Sequence, residues 1–397
     1  MSTALRIRQA LPLAPPWALT VLLAACGGGM GSDMTSMGTG AMSSGSMSGG
    51  SMDMNCMGMG GMSMSCPAPS VALVAPPGTV SRTVTLRAHV SVSSGDVMAR
   101  VDFMVDGTRI GSVNAAPFSV SWDSTSVSDG PHTLTATASD SMGQVGNANP
   151  VAIAVDNHPA FTVTLTPAQI FPTPESAASG VAHLQVDLAT GGVSGRVALN
   201  GVTATAVTLN EAFAGDRGAV RLALRPGASS SEWDLPAGAM LTEEQTTSLL
   251  QGGLYLSVAS GANPQGELRG QITPANIMVN FSPMSGTQEV PPVMINAAGN
   301  AATTVDRAAN TLTVHVHATG VDDAMAGEVA VAAPGATGAR LAALSRDDVD
   351  PGHWSAQLVV VGAADVTAFN ASHWYINLLT PADPQGAIRG QVELSAH

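Results

Sequence analysis

The feature that most constrains the fold is an internal repeat with a period of about 120 residues, which occupies residues 158–397. The motif Pro-Gln-Gly-x-x-Arg-Gly-Gln stands at 264–271 and again at 384–391. Solenoid repeats are about 20 to 50 residues long, so this period predicts two tandem domains instead. Other positions recur at nearly the same spacing: Gln169 with Gln288, Pro172 with Pro291, Gly180 with Gly299, and Gly201-Val202 with Gly320-Val321.

Both copies show the alternation of apolar and polar residues that half-buried strands require. Each copy also contains one short helical segment. In the first copy, Thr242 and Gln245 form a capping box, and in the second copy the helix is expected around residues 364–369. These patterns predict two β-sandwich domains, a first repeat over residues 158–275 and a second repeat over residues 276–397.

Residues 67–157 form a smaller unit with the same alternation. The Asp-Gly dipeptide at 106–107 is a hairpin-turn signal, and Asp-Gly at 129–130 marks a turn into the next alternating strand. About seven short strands fit into this length, which is the strand spacing of a β-sandwich. The segment has no cysteine pair to link two sheets, so its core must rest on apolar packing, with Trp122 as an expected member.

Residues 1–25 have the pattern of an export signal. Arg6 and Arg8 form a basic start, and the apolar run that follows over residues 18–25 is too short to span a bilayer. We therefore expect this segment to be removed from the mature protein.

The sequence Leu-Ala-Ala-Cys at 23–26 resembles the lipobox of bacterial lipoproteins, in which the cysteine is diacylated and becomes the first residue. We expect Cys26 to carry the lipid, and a plain secretory signal with a chance cysteine is the alternative. Gly27, and not an aspartate, follows the cysteine. In that family of signals, this favours the outer membrane of a Gram-negative bacterium.

Residues 26–66 are rich in Gly, Ser and Met, carry almost no charge and show no apolar periodicity, which predicts a disordered tether. Cys56 and Cys66 lie ten residues apart in it. In an oxidising compartment they could close a small disulfide loop.

Eleven of the 20 methionines lie in this tether, several of them two or three residues apart. Thioether sulfur is a soft ligand that suits Cu(I), and the two cysteines would add thiolates. Such spacings are similar to the Met motifs of periplasmic copper-handling proteins. The alternative is a simple tether in which methionine is frequent. The candidate Cu(I) ligands are Met34, Met37, Met52, Met54, Met57, Met59, Met62, Met64, Cys56 and Cys66.

The charge of the chain excludes some functions. It contains 15 arginines and no lysine. Without lysine, the chain can form no lysine Schiff base and has no phosphate-loop lysine. Beyond the export signal, 13 arginines stand against 29 acidic residues, a net charge of −16. This balance repels nucleic acid, so we expect no nucleic-acid partner.

Residues 67–157 resemble the bacterial Ig-like domains of secreted proteins. The resemblance rests on Val-Asp-Phe-Met-Val-Asp-Gly at 101–107, Pro-Phe-Ser-Val-Ser-Trp-Asp at 117–123 and the segment 129–140. It implies a spacer or binding module and not a catalyst.

The two repeats resemble the CHRD domain, the module that is repeated in chordin. The resemblance rests on Gln-Glu-Val-Pro-Pro at 288–292, Trp-Tyr-Ile-Asn at 374–377 and the two Pro-Gln-Gly-x-x-Arg-Gly-Gln motifs. It implies an all-β chain of tandem β-sandwich domains, one Ig-like and two CHRD-like, after the disordered tract.

One departure from the CHRD pattern concerns histidine. The pattern has a His-x-His before the central glycine-rich turn and a further His after the Tyr-x-Asn strand. If those histidines bind a metal in relatives, neither repeat of this chain retains the site. The corresponding positions are Thr208, Asn210 and Ala259 in the first repeat and Glu328, Ala330 and Leu379 in the second.

Arg269 and Arg389 lie three residues past a Pro-Gln-Gly turn, in a strand flanked by glycine. In a structural role, each guanidinium would pair with a carboxylate or with carbonyl oxygens at the end of a sheet. The alternative is an anion or peptide site. The sequence favours the structural role.

His315 and His317 are two residues apart on a predicted strand, so both face one side of it. Two imidazoles on one face can share a metal. The alternative, which the sequence favours, is a solvated strand face. Further ligands would come from His353, His373, Asp322 or Asp323.

The sequence contains no nucleophile elbow, zinc-protease motif, phosphate loop or dinucleotide-binding glycine motif. It therefore predicts a non-catalytic envelope lipoprotein, without a cofactor, that displays its β-domains as a binding or structural scaffold. Its partners would be the membrane, through the lipid, and an extracellular protein or polysaccharide. The alternative is a Cu(I)-buffering lipoprotein that works through the Met-rich tract, and a hydrolase in the CHRD pair is a third hypothesis.

Overall fold

The computed structural model of the protein describes residues 67–394, except residues 75, 77 and 93–97. No helix in this part of the chain is long and apolar enough to cross a membrane. Three predictions concern residues outside the described part of the chain: the export signal, lipidation of Cys26, and a disordered tether with Cu(I) candidates between residues 34 and 66.

The first domain is a sandwich of two sheets, one in the order β1-β3-β6 and the other in the order β2-β9-β7-β4-β5, with β8 paired to β7. The nine strands exceed the seven expected because β2 and β8 are only two and three residues long. The strands are β1 (Ser70–Val74), β2 (Thr79–Val80), β3 (Thr83–Ser91), β4 (Met98–Val105), β5 (Thr108–Val113), β6 (Ser119–Asp123), β7 (Gly130–Asp140), β8 (Val145–Asn147) and β9 (Val151–Val155), with a 3-10 turn at Ser124–Ser126.

Two local predictions for this domain are confirmed. Asp106 and Gly107 have φ angles of 48° and 78°, as the central pair of a tight hairpin turn between β4 and β5 requires. Trp122 is buried in the core with Leu86 and Phe103. The sandwich is therefore held by apolar packing between its two sheets.

The first repeat also contains two sheets, in the orders β10-β11-β12-β16-β15 and β14-β13-β17-β18. On β11, Ala182, Leu184 and Val186 face the core and alternate with exposed residues. Burial of a valine or leucine side chain contributes about 1.5–3 kcal/mol, so this alternation stabilises the sandwich. The elements are β10 (Ala160–Leu165), β11 (Ser179–Val186), β12 (Val193–Asn200), β13 (Ala204–Glu211), β14 (Ala219–Ala223), β15 (Arg225–Pro226), β16 (Glu232–Asp234), α1 (Glu243–Leu250), β17 (Leu254–Ser260) and β18 (Leu268–Gln271), with a 3-10 turn at Pro167–Gln169.

The capping box of the first repeat is confirmed. The Thr242 hydroxyl accepts a hydrogen bond from the Gln245 main-chain N–H at 3.2 Å, and the Gln245 side chain accepts one from the Thr242 N–H at 3.0 Å. The helix ends before Gly252, which has a φ of 78°. The helix expected around residues 364–369 in the second repeat is confirmed as well.

In the second repeat the strands close into a barrel, in the order β19-β20-β21-β24-β23-β22-β25-β26. The barrel closes because Ser285 on β19 pairs with Arg389 on β26. The matching contact in the first repeat is a single bridge between Thr166 and Arg269. The elements are β19 (Ile277–Ser285), β20 (Ala298–Asp306), β21 (Thr311–Thr319), β22 (Ala326–Val331), β23 (Ala339–Arg346), β24 (His353–Val360), α2 (Ala363–Asn370), β25 (Trp374–Leu379) and β26 (Ile388–Val392), with a 3-10 turn at Gly286–Gln288. The all-β fold class is confirmed.

Candidate functional site

In the first repeat, Arg269 of the repeated motif holds the loop between β13 and β14, which we call loop 212–218. The side chain is buried, and Nη2 donates to the carbonyl of Phe213 at 2.8 Å while Nη1 donates to the carbonyl of Asp216. Nη2 also donates to the Gln271 side chain at 2.8 Å. Burial lowers the pKa of Arg269 to about 10, so the guanidinium stays charged at neutral pH.

Tyr255 supports the same loop from β17. The Arg269 guanidinium lies 3.6 Å from the centre of its ring, within the range of a cation–π contact. The Tyr255 hydroxyl accepts a hydrogen bond from the Gly218 N–H at 3.1 Å. We call Tyr255, Arg269 and Gln271 the Arg–Tyr–Gln cluster of the first repeat.

The second repeat has the same cluster, formed by Tyr375, Arg389 and Gln391. Arg389 donates to the carbonyl of Ala336 at 2.7 Å and to the Gln391 side chain at 2.5 Å, and it lies 3.7 Å from the centre of the Tyr375 ring. The Tyr375 hydroxyl accepts from the Gly338 N–H at 3.2 Å. The loop that this cluster holds is loop 332–338.

The glutamines at the start of each repeat complete the clusters. The Gln169 side chain accepts a hydrogen bond from the Gln271 main-chain N–H at 2.9 Å, and Gln288 accepts the corresponding bond from Gln391 at 3.0 Å. The motif positions that recur in the sequence are thus joined by hydrogen bonds inside each repeat. Both arginines donate to carbonyl oxygens, which is the geometry that the structural interpretation describes.

A cleft of about 830 Å³ lies between the two repeats. Loop 212–218 forms one wall of it, and strands β20, β21 and β24 contribute to the other. The Oδ1 atom of Asn300 is buried at this wall and has no hydrogen-bond partner among the described residues. The side chains that line the cleft include Phe171, Asp216 and Arg217 from the first repeat and Asn300, His317 and His353 from the second.

Loop 212–218 approaches the second repeat so closely that only glycine fits at its tip. Gly215 has a φ of 88°, and a Cβ atom there would lie 2.8 Å from the Cβ of His315 and 2.7 Å from that of Ala302. His317 Nε2 donates to the Gly215 carbonyl at 2.7 Å. The ring of Phe171 stacks on His317 with 5.9 Å between ring centres.

Three histidines of the second repeat meet under this loop, and we call His315 and His317 of β21 with His353 of β24 the histidine face. His353 stacks on His317 at 4.7 Å and on His315 at 5.4 Å between ring centres. His315 Nδ1 lies 3.1 Å from His353 Nε2.

The prediction of a solvated strand face is therefore wrong, because His315 is only 1% exposed. Loop 212–218 of the first repeat covers this face. The sequence pattern of the second repeat alone cannot predict burial by another domain. His353 does approach His315, as the metal hypothesis expected. The third group is Asp216 of the first repeat, and within the described chain His373, Asp322 and Asp323 are not part of the cluster.

Burial dominates the electrostatics of the histidine face. Desolvation lowers the pKa of His315 to about 4, and it also lowers the pKa of His317 below its usual value. Both imidazoles are therefore neutral near pH 7. A neutral imidazole is the form that accepts a metal ion or a proton from a ligand.

The fold defines a protein built from tandem all-β modules, two sandwiches followed by a barrel. The family described as the CHRD domain matches residues 161–272 and 281–392, more than half of the chain. The chain belongs to the CHRD domain family. The description "Bacterial Ig domain" matches residues 69–136. The resemblances of both repeats and of the first domain are confirmed.

Several solved structures match the chain, whereas no curated protein does. The fibronectin(III)-like modules of Clostridium thermocellum CbhA are 29% identical over 22% of this chain and 96% of theirs, with a TM-score of 0.19. Carbohydrate-binding modules of the β-sandwich superfamily are 10% identical, with 83% of this chain and 98% of theirs covered and a TM-score of 0.21. The Bacteroides ovatus protein SGBP-B, solved with a mixed-linkage heptasaccharide, is 7% identical, with 83% and 99% covered and a TM-score of 0.17. TM-scores this low carry no information on what this chain binds.

Proposed function

We propose that the protein is a non-catalytic binding lipoprotein of the bacterial envelope, and that it takes its ligand in the cleft between its CHRD repeats. Neither of the two matched domain types is an enzyme family. The observation that carries the proposal is that both repeats build one cleft of about 830 Å³. Binding sites for small ligands and chain segments commonly have this size and lie between domains.

The cleft is rigid on the side of the first repeat. Arg269 and Tyr255 hold loop 212–218 through hydrogen bonds to its main chain and a cation–π contact. A site that is already ordered loses little conformational entropy when a ligand binds. This support favours a binding surface and not merely a hinge between two domains.

The lining of the cleft favours an uncharged ligand rich in hydroxyl groups. Arg217 and Asn300 both line the cleft, and their guanidinium and amide groups can donate hydrogen bonds to hydroxyl groups of a ligand. Phe171 adds an apolar ring, on which the carbon face of a sugar can pack. The net charge of −16 outside the export signal repels polyanions. We therefore propose a neutral polysaccharide as the ligand, and an extracellular protein is the other outcome of the test.

Affinity electrophoresis of the purified mature protein in gels that contain neutral polysaccharides tests this proposal. We expect at least one polysaccharide to retard the protein, and Asn300→Ala and Arg217→Ala to weaken the retardation about tenfold, the loss of one good hydrogen bond to a ligand. Arg221→Ala, which removes an exposed arginine paired with Glu211 on the surface of the first repeat, is the matched control. Equal retardation of all variants would exclude the cleft, and retention by a protein partner alone would exclude the polysaccharide.

The envelope location is proposed from the lipobox sequence at 23–26. Cys26→Ser should move the protein from the detergent phase to the aqueous phase in a partition assay, because the lipid is its proposed anchor. Cys56→Ser is the control and should remain in the detergent phase. A Cys26→Ser protein that still partitions into detergent would contradict the anchor.

A further inference from the structure

We propose that Asp216, His315 and His353 bind one divalent transition-metal ion, with Zn(II) as the test ion, and that this ion links the two CHRD repeats. Asp216 belongs to the first repeat and both histidines belong to the second. The site goes beyond the proposed function, since neither the lipid anchor nor a ligand in the cleft requires a metal.

The distances suit a metal site. One ligand atom from each of the three residues lies within 4.8 Å of the other two, and the two imidazole nitrogens are 3.1 Å apart. In a tetrahedral zinc site with bonds of about 2.0 Å, ligand atoms stand about 3.3 Å apart. The nitrogens of His315 and His353 are therefore close to the required separation, and a carboxylate oxygen of Asp216 lies within 4.8 Å of a ring nitrogen of each.

The surroundings of His353 support the same role. Its Nδ1 atom lies 3.7 Å from Oδ2 of Asp347, while Nε2 points at His315. Ligating histidines usually have a carboxylate or carbonyl on the ring nitrogen that does not bind the metal, which fixes the tautomer. Asp347 therefore favours the tautomer in which the lone pair of Nε2 is directed at the site.

In the described chain, His353 is the one hydrogen-bond partner of the His315 ring nitrogens. The side chain is 1% exposed, Nδ1 faces His353, and Nε2 has no hydrogen-bond partner among the described residues. A buried polar group without a partner is unfavourable. A metal at Nδ1 would bind that nitrogen and leave the proton on Nε2, so the ligand role of His315 rests on Nδ1 and its 3.1 Å approach to His353.

The first repeat shows that the fold does not require histidine at these positions. β12 pairs with β16 as β21 pairs with β24, which places Arg196 where the second repeat has His315 and Glu232 where it has His353. Arg196 makes ion pairs there with Glu232 at 3.1 Å and Asp234 at 2.8 Å.

Asp216 also has no counterpart of the same chemistry. The matching position in loop 332–338 of the second repeat is Ala336, whose carbonyl accepts from Arg389 as that of Asp216 accepts from Arg269. The carboxylate and the two imidazoles thus each occur once, on the two surfaces that face each other. This pairing points to a shared ligand between the repeats.

His317 has a positioning role. It stacks on His353 and donates to the carbonyl of Gly215, next to Asp216. It therefore keeps loop 212–218 over the histidine face without being one of the three ligands. Asp216 and His353 also line the cleft, so that a bound ion would be reachable from it.

The test uses the full mature chain, purified without a histidine tag and freed of metal. Zn(II) binding is measured by calorimetry for the wild type, Asp216→Asn, His353→Gln and the control Asp234→Asn, which changes a carboxylate in the matching strand of the first repeat. We expect the wild type and the control to bind one more equivalent of Zn(II) than the other two variants, or to bind it at least tenfold more tightly. Thermal unfolding without metal shows whether each variant is folded.

Co(II) separates this site from the two cysteines of the tether. Bound between one carboxylate and two imidazoles, Co(II) should show the visible bands of a four- or five-coordinate ion without a thiolate charge-transfer band. Equal Zn(II) binding in all four proteins would overturn the proposal and leave His315 and His353 sharing a proton. A loss of binding only in a Cys56→Ser, Cys66→Ser variant would overturn it too. The polysaccharide retardation is also repeated with a chelator present. Retardation that persists without metal would support the proposed function even if the metal site fails its own test.

Discussion

The outward faces of two matching strand pairs differ in chemistry although their backbones correspond. In the first repeat, Arg196 of β12 lies between two acidic residues of β16 and is half exposed. In the second repeat, β21 and β24 carry the histidine face, where His315 is buried. The difference reflects what covers each face. The ion pairs of the first repeat lie on its exposed surface. The neutral imidazoles of the second repeat lie where loop 212–218 packs against them.

A second difference concerns one buried carboxylate in each repeat. Glu267 accepts hydrogen bonds from Ser176, Ser260 and Asn263, which hold the pKa of that carboxyl below its usual range. Glu289 of the second repeat is buried with one oxygen lacking a partner among the described residues, and desolvation raises its pKa to about 7. The same fold thus stabilises a charged acid in one repeat and a neutral acid in the other.

The largest expected effect is the loss of a buried arginine. Arg269→Met and Arg389→Met should each lower the free energy of unfolding by about 3 kcal/mol, because each substitution leaves buried carbonyl oxygens without donors. Urea unfolding measures this cost. Only Arg269→Met should also weaken polysaccharide and Zn(II) binding, since only its loop reaches the second repeat. Equal losses of binding in both variants would contradict the claim that only the loop held by Arg269 contributes to the cleft.

A matched pair of glycines separates backbone strain from docking. Gly215 and Gly335 both have positive φ angles, of 88° and 76°, so alanine costs about 1 kcal/mol at either position. At Gly215 the new methyl group would also meet His315, whereas no described atom lies within 4 Å of a Cβ at Gly335. Gly215→Ala should therefore destabilise by about 2 kcal/mol more than Gly335→Ala in urea unfolding. Equal costs would mean that the loop does not dock.

The two carboxylates should give opposite pH dependence. The folded pKa of Glu289, about 7, lies above its usual value of 4.5, so the folded state binds more protons between these values. Stability from this group is present below pH 4.5 and is lost as the pH rises through 7. Glu289→Gln should therefore be relatively stabilising at pH 8.

Glu267 behaves in the reverse sense. Its folded pKa is lowered, so its contribution is present above pH 4.5 and is lost as the pH falls through the folded pKa. Glu267→Gln should therefore destabilise at pH 8 and have little effect in acid. Thermal unfolding of both variants across this pH range measures the two slopes. Slopes of the same sign would contradict the assignment.

The smallest expected effect is at the exposed ion pairs of the first repeat. Arg196→Ala should change the urea midpoint of unfolding only slightly, because the guanidinium is half exposed and water screens its partners. His315→Ala at the matching position removes a buried ring and should cost about 2 kcal/mol or more. The two costs, compared in urea unfolding, sharpen the contrast between an exposed face and a covered one.

Local patterns predicted much of the fold. The repeat period, the capping box at Thr242 and the alternation on strands such as β11 all depend on short-range rules, and the structure agrees with them. For Arg269, the sequence left a carboxylate and carbonyl oxygens as possible partners, and the structure shows the carbonyls of Phe213 and Asp216. These features lie within one domain, where sequence spacing translates directly into geometry.

The site between the repeats could not be predicted in the same way. Asp216 and His315 are 99 positions apart in the sequence and belong to different domains. The docking of loop 212–218 depends on the surface shape of both repeats, which no periodicity records. The one available signal was the presence of three histidines, His315, His317 and His353, where the first repeat has charged or small residues. The spacing of His315 and His317 suggested a shared ligand.

The most direct test of the docked arrangement is the modification of histidines by diethyl pyrocarbonate, followed by mass spectrometry of the peptides. The reagent attacks neutral imidazole, and the lowered pKa of His315 keeps that ring neutral at pH 7. Any protection must therefore come from cover and not from protonation. His183 and His373 are exposed and serve as internal controls. We predict that both react while His315 stays unmodified, and a His315 that reacts as fast as His373 would show a solvated face and contradict the docking of the two repeats.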